Sequence, residues 1–239
     1  MCIRDRVDLE LEAADRILAK IEADPEPDHV KRTEKEIWEL LQETGKKGRR
    51  TGLGFTALAD TVAALGIKFD TDEAIKSVDE IMKTKLKAEF DRCIDMAITR
   101  GQFEVFNRNI EDTSEFVQMM KTEFPEIYHR MMEFGRRNIS ISTVAPTGSL
   151  SMLAQVSSGI EPVFLLSYKR RRKVNTSDDN AKVDFVDDLG DAFQEFTVYH
   201  KKLETWMNAT SKTNIKESPY AGATASEIDW KKSFSGRLK

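Results

Sequence analysis

At Asn138 the sequence changes its periodicity, and that switch limits the folds open to the chain more than any other feature. Upstream, apolar residues recur at helical spacing. From residue 138 to 145 the run Asn-Ile-Ser-Ile-Ser-Thr-Val-Ala alternates apolar with polar and is rich in β-branched side chains, which predicts a strand. It meets Pro146-Thr147-Gly148-Ser149 and then a short helix-like piece over 150–156. The chain therefore divides into a helix-rich region, 7–135, and a strand and loop region, 136–239.

The first region reads as helix after helix. Leu9, Leu11, Ile17, Leu18 and Ile21 form a stripe over 7–23, and Asp24-Pro25-Glu26-Pro27-Asp28 ends it. A second helix follows over 29–47, with Gly48 as its C′ stop. A short apolar helix is expected over 55–65, and a long one from residue 70 or 71 to Arg100, closed by Gly101. Two shorter helices, 114–121 and 126–134, flank Phe124-Pro125. Beyond the switch, 162–166 is expected to be a strand, 175–191 a loop or hairpin insert, and 196–199 another strand-like stretch. A short helix near 202–207 and a last one, opened by a capping box at Thr224 and Glu227, complete the reading.

Composition narrows the function classes. A formal charge of −4 supplies no bulk positive field for nucleic acid or an anionic membrane. No apolar run approaches the ~20 residues of a membrane helix, and no apolar leader opens the chain. Two cysteines, Cys2 and Cys93, exclude a disulfide framework and a zinc ribbon, so the expected setting is reducing and cytoplasmic.

The strongest chemical feature is the strand, Pro146-Thr147-Gly148-Ser149, helix sequence. A helix N-terminus exposes unpaired N–H groups and the positive end of the dipole, which suits a phosphate. Gly148 would allow a tight turn, and Thr147, Ser149 and Ser151 add hydroxyls. The same residues also read as a simple helix cap. Gly52-Leu53-Gly54-Phe55-Thr56-Ala57 mimics the dinucleotide fingerprint, but a basic loop and not a hydrophobic strand precedes it, which rejects that reading. Cys93 lies on one face with Phe90, Ile94 and Ala97 and reads as core. His29, His129 and His200 are isolated, so no metal site is expected. The run Arg170-Arg171-Arg172-Lys173 beside an acidic insert reads as a self-compensating surface, and Glu161 as an ion-pair partner ahead of Pro162. These residues alone assign no reaction.

Read together, Arg136-Arg137-Asn138-Ile139-Ser140, Ala145-Pro146-Thr147-Gly148-Ser149 and Ser157-Ser158-Gly159-Ile160-Glu161-Pro162-Val163-Phe164 resemble ribonucleotide reductase, and most closely its adenosylcobalamin-dependent class. Lys47-Gly48-Arg49-Arg50-Thr51-Gly52-Leu53-Gly54, Leu58-Ala59-Asp60, Ser218-Pro219-Tyr220 and Ile228-Asp229-Trp230 carry the same resemblance. It implies an α/β fold, the C-terminal part of a ten-stranded α/β barrel, in an enzyme that reduces ribonucleotides by a cysteine thiyl radical. It also implies that Pro146, Thr147, Gly148, Ser149 and Leu150 hold the substrate's phosphates. Adenosylcobalamin is the implied cofactor of the full-length enzyme. The implied partners are the ribonucleotide, the remainder of the barrel, a thioredoxin-like or dithiol reductant and a possible second copy, with no nucleic acid and no membrane.

Several features depart from the family. The Asn-x-Cys-x-Glu finger loop and redox cysteines that the family places upstream have no counterpart here, so no catalytic residue is assigned. Residues 1–6 do not resemble the family and read as a non-native leader, with 7–239 as an internal barrel fragment. The chain alone is then expected to be inactive. Two alternatives stand beside this reading: a fragment of the class that takes its radical from a separate subunit, and a non-catalytic helical interaction module.

Overall fold

A computed structural model describes residues 6–174 and 182–231. Nine α-helices and three strands are formed among these residues: α1 Arg6–Ala23, α2 Asp28–Gly48, α3 Leu58–Ala64, α4 Asp72–Arg100, α5 Arg108–Glu111, α6 Glu115–Glu123, α7 Pro125–Phe134, β1 Ser167–Lys173, β2 Phe185–Val186, β3 Ala192–Tyr199, with α8 Gly148–Ala154 before the strands and α9 Lys201–Thr210 after them. The fold is mixed helix and sheet. Among the described residues no helix is long and apolar enough to cross a membrane.

The chain forms two compact units. Met1–Gly54 and Met82–Thr143 make the first, and Phe55–Ile81 and Val144–Lys239 the second. Long-range packing, not the point where periodicity changes, sets this division.

In the first unit Phe90, Ile94, Val117, Met120, Ile127, Tyr128 and Met131 form the core. Cys93 is buried there as expected, at 1% exposure, and its Sγ accepts a hydrogen bond from Asn138 N at 3.3 Å. The helices fall close to their expected spans, although the apolar residues Ile37 and Leu41 expected on one face of α2 are exposed. Two local details differ. Gly48 is the last helical residue of α2, and Arg49 (φ 49°) takes the left-handed position expected of glycine, its N–H bonding Gly45 O at 2.9 Å. The Arg49 side chain is buried against Asp8, which holds a conformation a non-glycine residue rarely adopts. Helix α5 was not anticipated: four residues are too short for periodicity, though Asn107 caps Asn109 and Ile110 through its side-chain oxygen.

The strand expected over 138–145 is not formed as a regular strand. The segment is extended and bonds one neighbour in parallel register: Ile139 N to Gly48 O, Thr51 N to Ser140 O, Leu53 N to Ile141 O and Thr143 N to Leu53 O, at 2.7–3.2 Å. Leu53 and Ser142 make its one bridge among the described residues. A two-stranded parallel pair lacks the further neighbours that parallel sheets need on both sides. This pairing also explains Gly54, where a Cβ would lie 2.8 Å from Thr143 O. The second glycine of the Gly-x-Gly there serves a close backbone approach.

In the second unit Leu58, Ala59, Val62, Ala63, Phe69, Ala74, Val163, Leu203, Tyr220 and Ala223 form the core. The strand expected over 162–166 is also absent. Val163 is buried and its O accepts from Ala225 N at 2.9 Å, while Phe164 and Leu165 are exposed. The basic run forms β1 instead, the edge of an antiparallel sheet of order β1-β3-β2. An exposed ribbon tolerates charge on both faces, and the register sets Arg171 opposite Glu195, with an ion pair at 2.8 Å; Lys169 reaches the same carboxylate at 3.3 Å. The self-compensating surface is therefore present, and of the expected insert 182–191 carry β2 and its turn into β3, while 175–181 lie outside the described residues. Strand β3 begins at Ala192, four residues earlier than the apolar pattern indicates, because Ala192 and Phe193 pair with Val186 and Phe185. At the chain's end Glu227 accepts hydrogen bonds from Thr224 N and Thr224 Oγ1 at 3.3 and 2.6 Å, but turns follow, and helical residues resume only at Trp230. Glu161 makes no ion pair among the described residues, contrary to expectation.

Candidate functional site

The turn from residue 146 to helix α8 lies in the second unit. The first helical bond of α8 runs from Ser151 N to Thr147 O at 2.8 Å, so the N–H groups of Gly148, Ser149 and Leu150 have no intrahelical acceptor. These three residues are exposed. Three N–H groups thus lie along one short stretch of surface beside the Ser149 hydroxyl, whereas Ser151 is buried with its Oγ donating to Gly148 O at 2.8 Å, so its expected hydroxyl is not offered there.

The conformational role expected of Gly148 falls to Thr147. Its φ is 46° and its ψ 30°, left-handed values that are costly for a β-branched residue, while no positive φ is recorded at Gly148. Nor does the Thr147 side chain cap α8. Its Oγ1 instead bonds Thr56 Oγ1 at 3.0 Å and accepts from Gly159 N at 2.9 Å. Those bonds hold the strained residue in place. Gly148 contributes openness: a Cβ there would meet nothing within 4 Å.

The turn over 157–159 underlies this loop. Ser158 Oγ donates to Pro146 O, and Thr56 Oγ1 donates to Ser157 O at 2.8 Å. Gly159 has φ 49°, and a Cβ there would press to 3.2 Å from Ala145 O. The start of α3 binds the same turn, with Ala57 N to Ser157 O at 3.1 Å and Leu58 N to Gly159 O at 3.3 Å.

Beneath the turn sits a buried polar cluster that sequence reasoning missed. Asp60, in the first turn of α3, accepts from Ser157 N at 2.6 Å through Oδ2. Its Oδ1 meets His200 Nε2 at 2.7 Å and accepts from Tyr220 Oη at 2.8 Å. His200 is therefore not isolated; the fold brings it from 140 positions away. A signal existed: Asp60 is the one acid in the otherwise apolar or neutral Leu-Ala-Asp-Thr-Val-Ala-Ala, and such a charge is retained in a core only when paired.

Burial alone would raise the Asp60 carboxyl. The His200 hydrogen bond, the Ser157 N–H, the electrostatic interaction with His200 and the Tyr220 hydroxyl overcome it and hold the group below the usual carboxylate range. Burial, and then the Asp60 charge and hydrogen bond, push the Tyr220 phenol well above its ordinary value. A depressed folded-state pKa means that ionised Asp60 stabilises the fold fully above the unfolded value of about 3.9, and that this contribution is lost as pH falls through the lower folded value. Asp60→Asn is accordingly expected to flatten the acid limb of stability. Melting temperature followed from about pH 5 to about pH 2 would show it, and an acid limb unchanged from the parent would contradict it.

Next to the cluster lies a cleft of about 600 Å³, with Ala57, Asp60, Lys202, Trp206 and Tyr220 among its lining residues. Its size is that of a pocket for a drug-sized molecule. Among the described residues no group of three or more His, Cys, Asp or Glu is placed to hold a metal ion.

The structure by itself defines a mixed helix-and-sheet protein with an exposed turn ahead of a short helix. Comparison with known proteins makes this specific: the chain belongs to the ribonucleotide reductase family, matching the description "Ribonucleotide reductase, barrel domain" over residues 28–233. A vitamin B12-dependent ribonucleoside-diphosphate reductase of Mycobacterium tuberculosis (strain CDC 1551 / Oshkosh) is 32% identical over 130 residues, 54% of this chain and 16% of that protein. A protein of the same name from Thermoplasma acidophilum is 27% identical over 132 residues, 55% of this chain and 15% of its own length. A ribonucleoside-diphosphate reductase subunit alpha of Treponema pallidum is 23% identical over 135 residues, 55% of this chain and 16% of its own. The chain thus spans about a sixth of the length of these relatives.

Proposed function

We propose that residues 7–239 form a segment of a ribonucleotide reductase catalytic barrel, and that this segment supplies the loop that binds the substrate's phosphates. One observation carries the reading: the N–H groups of Gly148, Ser149 and Leu150 stand exposed and unused by α8 beside the strained, doubly bonded Thr147. Pro146 and Leu150 border them. The barrel of the full-length protein would be ten-stranded, with the extended segment over 138–143 as one of its parallel members. The substrate is then a ribonucleotide, reduced to the 2′-deoxyribonucleotide by a cysteine thiyl radical with electrons from a thioredoxin-like or dithiol reductant. Function in the cytoplasm, as a homodimer, completes the reading.

Adenosylcobalamin is the proposed source of the radical in the full-length enzyme, because relatives at 32% and 27% identity are named vitamin B12-dependent. The 600 Å³ cleft is smaller than a corrinoid with its nucleotide tail and adenosyl group, so its lining residues do not fit that cofactor and none of them is assigned to it. The class with a separate radical subunit is the second reading; in its favour is the Treponema pallidum subunit alpha, at the lower identity of 23%.

Gly148→Val tests the loop. Since a Cβ at Gly148 meets no protein atom within 4 Å, the fold should accept the valine, while its bulk stands among the exposed N–H groups. In the full-length enzyme nucleotide affinity is expected to fall about tenfold or more, the equivalent of one or two lost charge-assisted hydrogen bonds. Unchanged affinity in a variant of native thermal stability would remove the assignment.

A further inference from the structure

The phosphate loop is held from below by a buried device that touches no part of the exposed N–H groups. Thr147 Oγ1 depends on Gly159 N for one of its two bonds, and Gly159 belongs to the turn over 157–159. That turn is clamped at both ends of Ser157. Its N–H donates to Asp60 Oδ2 at 2.6 Å, its O accepts from Thr56 Oγ1 at 2.8 Å and from Ala57 N at 3.1 Å, and its Oγ accepts from Asp60 N at 3.4 Å. Asp60 and Ser157 therefore exchange hydrogen bonds in both directions.

The carboxylate is fixed in turn from two further elements. His200 immediately precedes α9, and its own N–H bonds Leu166 O at 2.9 Å. Tyr220 is buried in the core beside Leu203, with its ring 5.6 Å from that of His200. A carboxylate that accepts three hydrogen bonds while 6% exposed cannot rotate without leaving a donor unsatisfied. Simple core packing would be served as well by an apolar residue at position 60, so the cluster calls for a role in orientation.

We propose that Asp60, held by His200 and Tyr220, is a positioning residue for the phosphate loop, fixing the 157–159 turn and through Gly159 the Thr147 hydroxyl and the approach of the Gly148, Ser149 and Leu150 N–H groups. This rests on the phosphate-loop reading above. Asp60 touches no substrate. Its effect is to pre-order the loop, so that nucleotide binding does not bear the cost of ordering it.

The test uses the full-length reductase that contains this segment, with Asp60→Asn, Tyr220→Phe, Thr147→Val and the double variant Asp60→Asn/Thr147→Val. Leu203→Ala, in the same core but outside the cluster, controls for plain destabilisation. For Asp60→Asn the KM for nucleotide is expected to rise about tenfold and for Tyr220→Phe about threefold, with kcat within about twofold, as for the loss of binding without loss of chemistry. Thr147→Val should raise KM too, and the double variant should be no worse than about the poorer single one, because both act on one bond path. Leu203→Ala should lower the melting temperature and leave KM unchanged. A raised KM for Thr147→Val with none for Asp60→Asn and Tyr220→Phe overturns the positioning role and leaves the phosphate loop standing. Multiplicative effects in the double variant, or a KM rise in Leu203→Ala equal to that of Asp60→Asn, also overturn it. If no variant moves KM, the phosphate-loop reading falls and this proposal with it. Should Asp60→Asn fail to fold, Tyr220→Phe, which keeps the ring and removes one donor, carries the same comparison.

Discussion

Glu111→Ala is expected to cost about 3–5 kcal/mol of folding stability, the range for breaking a buried ion pair by removing one partner. Arg136 grips Glu111 with two nitrogens, Nη2 at 2.7 and 2.8 Å from the two carboxylate oxygens and Nε at 3.2 Å from one of them. Both side chains are about nine-tenths buried, at 11% and 10% exposure. The same guanidinium donates to Asn138 O and Ile139 O at 3.1 and 2.6 Å and lies over the Phe103 ring. Truncating Glu111 leaves the charge in place with its strongest acceptor gone, just where α7 gives way to the extended segment. Arg136→Met on top of Glu111→Ala should recover part of the loss, since a paired deletion leaves no buried charge behind. Urea unfolding of the three variants measures this. A single-variant loss below about 1 kcal/mol, the level of an exposed pair, would show that the pair is solvated.

The 239-residue chain by itself is expected to form no deoxynucleotide. Thiyl-radical reduction, as the proposed function requires it, needs one cysteine for the radical and two more as the reducing pair. The sequence holds two, Cys2 and Cys93. Cys2 lies outside the described residues. Cys93 is buried at 1% exposure among Phe90, Ile94 and Ala97, with its sulfur engaged by Asn138. Two thiols, one of them sealed in a core, cannot fill three roles. The experiment incubates purified chain with adenosylcobalamin, a dithiol and each ribonucleotide in turn. Deoxynucleotide above a blank without protein would overturn both the thiol count and the placement of Cys93.

The helical half was legible because its information is local. Periodic stripes placed α1, α2, α4, α6 and α7 to within a few residues, and Cys93 was assigned to the core from its neighbours on one helix face. The strands were not legible in the same way. Alternation over 138–145 identified an extended segment correctly, but regular strand structure depends on neighbours, and one partner segment supplies bonds along it. The apolar run over 162–166 failed as a strand while the basic run succeeded, because Glu195 and Asp191 across the sheet compensate charges that the linear pattern counts as unfavourable.

The candidate site divides along the same line. The sequence by itself determined the loop's composition and family membership: hydroxyls and a glycine ahead of a helix are a local pattern, and motif order is a property of the chain. Only the tertiary structure decided that Thr147 and not Gly148 takes the left-handed backbone, since Thr56 and Gly159 provide the bonds that offset its strain. It alone joined Asp60 to Ser157, His200 and Tyr220, residues 97, 140 and 160 positions distant. Hydrogen bonds in a buried cluster are set by distance in space, and nothing in the spacing along the chain encodes that distance until the core has closed around them.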